Sequence, residues 1–241
     1  MSEKGSVFGF HGFLFFLSVD MTKETHRFAL SFSAGKDSFL ALKRMVEDGH
    51  VPACLITSVM PIGRSHMHGL RIPLLEQYAE SLGIPILFDT TREKFDRSMA
   101  LETARKAKTL YRADASCTGD ISLSGPRDFN LSIAREVGMT GFYPLFGMDE
   151  ETYVRELTAS GFTVMIKSLS AALELDELVG TKLDEKAISL LAQKGVRLTD
   201  DTTDIHTVVV DGPFFQYPIS YRFGDSFHKG RFTMVDMLPV S

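Results

Sequence analysis

The chain has 241 residues, 44% of them apolar and 24% charged, with a formal charge of −5 at pH 7, a composition that does not indicate disorder and suits one large domain or two unequal ones. Residues 21–150 carry sixteen positive and sixteen negative side chains and residues 151–241 nine against thirteen, so bulk nucleic-acid binding, which needs clustered Lys and Arg, is not expected. Cys54 and Cys117, the only cysteines, exclude a disulfide scaffold or a four-cysteine metal site within one chain and read as buried thiols in a reducing cytoplasm.

The first apolar run, residues 7–19, is too short to span a bilayer, and Ser18-Val19-Asp20 is a poor cleavage site, so no membrane partner is expected. Residues 1–20 read as an N-terminal extension, either from a misassigned start codon or as an added exposed strand, ahead of a natural-looking start at Met21. A strand is then expected over residues 27–32, followed by Ser31-Phe-Ser-Ala-Gly-Lys-Asp-Ser38 and a helix in which Phe39, Leu40, Leu42, Met45 and Val46 recur at helical spacing. Ser33, Ala34 and Gly35 have little bulk, so backbone N–H groups can approach an anion at a helix N-terminus, where the dipole also favours negative charge. Lys36 adds a positive charge, Asp37 a candidate Mg2+ ligand, and Ser33 and Ser38 hydroxyls for phosphate oxygens. The plainer alternative is a strand-to-helix turn capped by Asp37 or Ser38.

This loop lacks the paired glycines of a Walker motif and the glycine triad of a dinucleotide fold. Ser33-Ala-Gly-Lys-Asp-Ser38 instead resembles the Ser-Gly-Gly-x-Asp-Ser pyrophosphate loop of the N-type ATP pyrophosphatases, with Ala34 replacing the first glycine. The resemblance implies that Ser33, Ala34, Gly35, Lys36, Asp37 and Ser38 bind ATP with Mg2+, and that ATP is split at the α-phosphate to AMP and pyrophosphate. Ala34 is a mild departure at negative φ and a costly one at positive φ.

Further along, strands are expected over residues 51–59, 85–88, 116–121 and 141–145, separated by helices over 70–82, 93–111 and 126–137. That alternation argues for an α/β fold with a parallel sheet whose ligands bind at the carboxyl ends of the strands. The loop carrying His66-Met-His68 is read as lying near the adenine rather than as a metal site, and the cationic run Arg105, Lys106, Lys108, Arg112 as a solvated face or a surface for an acidic partner. Beyond residue 148 the texture becomes α+β: helices over 149–160 and 183–194, and strands over 162–168, 206–210 and 219–223, the last two expected to pair around Asp211-Gly-Pro213. The domains are accordingly placed at residues 21–147, binding ATP, and 148–241, meeting the substrate.

Gly119-Asp120-Ile121, Tyr143-Pro-Leu-Phe146, Gly161-Phe-Thr-Val-Met-Ile166, Leu183-Asp-Glu185 and Asp204-Ile-His-Thr-Val-Val-Val-Asp-Gly-Pro-Phe-Phe215 together resemble the diphthine–ammonia ligase family, in order and spacing, from about Arg27 to Phe215. That resemblance implies a Rossmann-like (adenine nucleotide alpha-hydrolase-like) parallel sheet with a smaller C-terminal α+β domain. It also implies adenylation of the diphthine carboxylate on elongation factor 2 and displacement of AMP by ammonium, there being no glutaminase-like region. Where the family usually has Gly-Glu-x-Gly-Glu, this chain has Asp200-Asp-Thr-Thr-Asp204, keeping two acids at Asp201 and Asp204, one methylene shorter, and losing both glycines. The expected catalytic set is Lys36, Asp37, Asp120, Asp204 and His206, with Asp120 read equally as a site group or a helix cap, and with His206 and Asp211 on opposite faces of a regular strand. The alternatives are an ATP pyrophosphatase acting on tRNA or a small carboxylate, disfavoured by the acidic second half and the missing cysteine pair, or a non-catalytic nucleotide sensor. Self-association is left open.

Overall fold

The computed structural model describes residues 24–91, 96–201 and 204–240; the expected extension over residues 1–20 lies outside the described residues. Five parallel strands, β1 (Arg27–Ser31), β2 (Val51–Met60), β4 (Ile86–Thr90), β5 (Ala115–Cys117) and β6 (Thr140–Phe142), run side by side in the order β4-β2-β1-β5-β6. The short β3 (Arg64–Ser65) pairs antiparallel with the far end of β2. Val59 meets Thr90 of β4 on one edge and Ser65 of β3 on the other, so β3 continues the edge that β1 occupies and hangs its loop beyond the end of β1.

Chain order reverses at β1. The path moves outward through α1 (Lys36–Glu47) to β2 and α2 (Ile72–Leu82) to β4, then returns through α3 (Arg97–Tyr111) to β5 and α4 (Ser124–Glu136) to β6. Right-handed crossovers therefore put α1 and α2 on one face and α3 and α4 on the other, and leave a crevice between β1 and β5 at their carboxyl ends. The strands alternate to match. Phe28, Leu30 and Leu55 join the large core under α1 and α2, while Ala29, Cys54, Ile56 and Leu87 face the smaller cluster formed with Ala107, Ala134 and Met139. Cys54 and Cys117 are free and buried, and burial pushes both thiols up, Cys54 to about 12.

The second half has α5 (Glu150–Ala159), β7 (Thr163–Ser170), α6 (Glu185–Gln193), β8 (Ile205–Asp211), β9 (Tyr221–Lys229) and β10 (Phe232–Pro239), with a four-stranded antiparallel sheet in the order β8-β7-β10-β9. Asp149 and Asp184 cap α5 and α6 by accepting from Thr152 N and Ala187 N. The expected pairing of residues 206–210 with 219–223 does not occur. β8 pairs with β7 and β9 with β10, at opposite edges of the sheet, because β9 runs to Lys229 and turns through Gly230, at φ +60°, into a strand that the sequence reading missed. From the segment expected to pair, Ile219 N returns to β8, bonded to Val210 O at 2.9 Å.

The halves are tied by polar contacts with apolar support. Asp236 of β10 accepts from both Arg64 nitrogens (2.8 and 2.9 Å) and from Arg71 (2.9 Å), Arg44 of α1 forks onto Glu156 of α5, and the Tyr78 hydroxyl donates to Val209 O at 2.7 Å. The two guanidiniums hold the Asp236 carboxyl far below the usual range, so its contribution is complete above the ordinary aspartate value and fades only as pH falls toward its lowered one. Asp236→Asn is expected to lower stability to urea at pH 7 by about 1–3 kcal/mol, with the gap from wild type closing only below about pH 4. A gap that closes between pH 5 and 6 would show that the clamp is not the cause.

Candidate functional site

At the end of β1 the chain turns through Ser33, Ala34 and Gly35 into α1. Ala34 adopts φ +63°, the left-handed region, with its methyl fully buried, and its carbonyl accepts from Val209 N of β8 at 2.9 Å. An L-residue there costs about 1–2 kcal/mol. Glycine would remove that strain but lose a buried methyl contributing about 0.8 kcal/mol and up to about 1 kcal/mol of chain entropy, so the two residues come out nearly level. The second position is different, because a Cβ on Gly35 would sit 2.5 Å from His68 Cε1 and 3.2 Å from Thr207 O.

Strand β8 holds the loop from the other side. Lys36 N donates to Thr207 Oγ1 at 3.2 Å, and the Lys36 side chain, 2% exposed, runs inward: its ammonium bonds Asp37 Oδ1 at 2.7 Å and Leu198 O at 2.9 Å and lies over the Tyr153 ring. The Tyr153 hydroxyl donates to the same Asp37 oxygen. Glu150 fixes the Leu198 segment by accepting from Leu198 N (2.7 Å), Thr199 N (3.0 Å) and the Thr199 hydroxyl (2.6 Å). The amides of Asp37 and Ser38, in the first turn of α1, have no acceptor within the helix and face outward with its dipole.

A second loop, after β5, closes on α1. Gly119 passes so near that a Cβ would lie 2.7 Å from Asp37 O. Asp120 follows; its carboxylate accepts from Thr118 Oγ1 at 2.6 Å and Asn130 Nδ2 at 3.3 Å, and burial, reinforced by the nearby Asp201 and Asp37 charges, raises it. No side chain caps α4, so the capping role considered for Asp120 is not seen; Asp201 instead holds the turn ahead of the helix, its Oδ2 accepting from Ile121 N (2.9 Å), Ser122 N (2.6 Å) and Leu123 N (3.0 Å).

Between these loops, β8 and the α3–α4 face lies a cleft of about 470 Å³. Three buried polar atoms on its wall, His68 Nδ1, Asp89 Oδ1 and Ser116 Oγ, lack a hydrogen-bond partner among the described residues and are open to water or a polar ligand. His68 is held well below its usual range by burial and by the neighbouring His206, Lys167 and Lys36, so it stands neutral. Among the described residues no group of three His, Cys, Asp or Glu side chains is arranged to hold a metal alone. Any Mg2+ would arrive with a nucleotide and take most of its ligands from phosphate oxygens and water, with Asp37 the carboxylate that would complete them.

Two family models match the chain in succession, the diphthamide synthase N-terminal domain over residues 26–141 and the diphthamide synthase C-terminal domain over residues 149–235. The chain belongs to the diphthamide synthase family. Membership makes this an ATP-utilising protein, and the matched regions include both the phosphate loop and the β8 segment that braces it. No curated protein matches the chain. Among solved structures it is similar to the predicted subunit of a tRNA methyltransferase from Methanocaldococcus jannaschii, at 19% identity and a TM-score of 0.41 over 76% of this chain and 96% of that one. No described helix is long and apolar enough to cross a membrane.

Of the residues singled out from sequence, Ser33, Lys36, Asp37, Ser38, His66, His68, Asp120 and His206 line the cleft, with the His206 ring 5.4 Å from that of His68, while Ala34 and Gly35 shape the turn without lining it. Asp204 does not; its carboxylate faces Arg231 at 3.5 Å near the surface, and Asp211 bonds Gly212 N. On α3, Arg105 and Lys106 pair with Glu136 and Glu102, and Lys108 caps the Val137 and Gly138 carbonyls, so much of the cationic run is spent locally. Asp89, Ser58, Ser116 and Thr207 were missed. Ser58 and Ser116 lie inside expected strands, and the strand expected to end at residue 88 stops one short of Asp89.

Gly119→Ala is expected to cost about 1–3 kcal/mol in urea unfolding and to weaken ATP binding about tenfold, because backbone rather than a flexible side chain blocks the new methyl. Ala34→Gly is expected to change stability by less than about 1 kcal/mol. Calorimetric binding and denaturant titration of both variants check the pair, and the opposite ranking would contradict the loop geometry.

Proposed function

We propose that this diphthamide synthase family member is an AMP-forming, ATP-dependent amide ligase that adenylates a carboxylate, diphthine on elongation factor 2, and amidates it with ammonium. The observation that carries the reading is the Ser33–Ser38 loop, opening at the N-terminus of α1 into a cleft at the reversal point of the sheet. Ser33, Gly35 and Ser38, with the first amides of α1, take the β- and γ-phosphates, and Ala34 sets the turn. Lys36 acts from beneath, compensating Asp37 and anchoring the loop to Leu198.

A carboxylate oxygen of the substrate attacks the α-phosphorus as the bond to pyrophosphate breaks, giving an acyl-adenylate. Ammonia then attacks the acyl carbon, the bond to the AMP oxygen breaks, and one proton leaves the new amide nitrogen. Asp120, a buried carboxylate at the cleft with a raised proton affinity, is the group assigned to take that proton, with His206 orienting the acyl group from β8. Positioning and charge stabilisation carry the rest, and no nucleophilic side chain is required. Asp204 acts only through the segment it anchors beside Arg231.

The test is AMP release from Mg-ATP with diphthine-bearing elongation factor 2 whose carboxylate carries 18O. Release that needs both substrate and ammonium, with 18O recovered in AMP, is the expected outcome. ATP binding without AMP under any combination would leave the sensor reading standing instead. Asp120→Asn is expected to lower kcat by about 10²-fold or more with KM for ATP little changed. The wild-type rate should fall as pH drops through the raised Asp120 value, because only the ionised form accepts a proton. An unchanged acid limb in Asp120→Asn would remove Asp120 from that role.

A further inference from the structure

One side chain in the cleft has no place in the phosphate chemistry. Asp89, at the carboxyl end of β4, is 5% exposed and lines the cleft. Its Oδ2 accepts from Ser58 Oγ at 3.3 Å, its Oδ1 has no partner among the described residues, and burial raises it. A buried carboxylate oxygen without a donor carries a desolvation cost that a ligand donor would relieve.

Its position says which part of a nucleotide supplies that donor. Asp89 lies two residues beyond Leu87 on the same strand face and pairs in register with Ser58, which puts it on the α3–α4 face together with Ala29, Ile56 and Ser116. β4 lies two strands from β1, about 10 Å at about 4.8 Å per strand, which is also about the span from an α-phosphate to the exocyclic amino group of its base. Beside Asp89 on this face the cleft is lined by Ile56 of β2 and by Ala100 and Ala104 of α3, apolar or small side chains that suit a flat ring.

We propose that Asp89, oriented by Ser58, accepts a hydrogen bond from the exocyclic amino group of adenine and is the residue that selects ATP over GTP. A carboxylate accepts from an amino group and repels the O6 carbonyl that guanine presents at the same place. This inference rests on the ATP reading above and adds to it the means of base selection.

The test compares calorimetric affinities of the full-length protein for ATP, GTP, 2′-deoxy-ATP, 3′-deoxy-ATP and purine riboside triphosphate, which lacks the amino group. Wild type is expected to bind ATP about ten- to a hundredfold more tightly than GTP or purine riboside triphosphate, the range of a hydrogen bond to a charged group, and to bind both deoxy forms nearly as well as ATP. Asp89→Ala is expected to reduce ATP to the affinity of purine riboside triphosphate while leaving the latter unchanged, and Asp89→Asn to narrow the gap between ATP and GTP. The comparison of ligands on wild type alone decides the matter if a variant fails to fold. Equal wild-type affinity for ATP and purine riboside triphosphate would overturn the assignment while leaving the phosphate loop intact, and selective loss with a deoxy form would move the contact to the ribose. Binding of no triphosphate would overturn this inference and the ATP reading together.

Discussion

The Ser33–Ser38 loop depends on its contact with β8. Val209 N bonds Ala34 O and Thr207 Oγ1 accepts from Lys36 N, so a strand of the second domain closes the hydrogen bonds of a loop that belongs to the first. The contact explains why Ala34 can hold φ +63°: its carbonyl is pinned and its methyl is packed, and the surroundings determine a conformation that alanine alone would avoid. It also gives the chain a reason to carry both domains, because the cleft is walled by Ser33 and Asp37 on one side and by His206 and Thr207 on the other.

The acids divide their work by burial and by partner. Asp37 pairs with Lys36 and accepts from the Tyr153 hydroxyl, Asp201 is spent on three backbone amides, and Asp204 meets Arg231 near the surface. Asp120 and Asp89, both raised by burial, remain directed at the cleft. Shortening the two acids around residues 201 and 204 therefore has unequal consequences. At Asp201 a short side chain reaches the amides of residues 121–123 directly, so the second domain grips the loop after β5 as well as the loop after β1. With Glu150 holding residues 198 and 199, the approach to Asp201 is braced from α5.

Much of this was legible in the sequence, for physical reasons that vary by element. The β1–loop–α1 unit was readable because an apolar alternation, a run of small residues and a helical period follow one another with no competing pattern. The parallel sheet followed from helices of crossover length between short strands. The antiparallel sheet was misread because local turn residues at Asp211-Gly-Pro213 suggest a hairpin, whereas long-range pairing with β7 had already claimed β8. Lys36 illustrates a different limit, since sequence places a cation beside the phosphates but cannot tell that the carbonyl of Leu198 and the Tyr153 ring draw it inward. Asp89 was hidden because a lone acid at a strand end looks like solvent-facing punctuation until the strand is extended by one residue and its face becomes known.

The most direct test of the loop's dependence on β8 is residue-resolved amide hydrogen exchange of Lys36 and Val209 in the nucleotide-free protein. The account predicts that the two amides exchange at matched, strongly protected rates, opening in the same event and slowing together when Mg-ATP is added. A Lys36 amide that exchanges at the rate of an exposed loop while Val209 stays protected would contradict it.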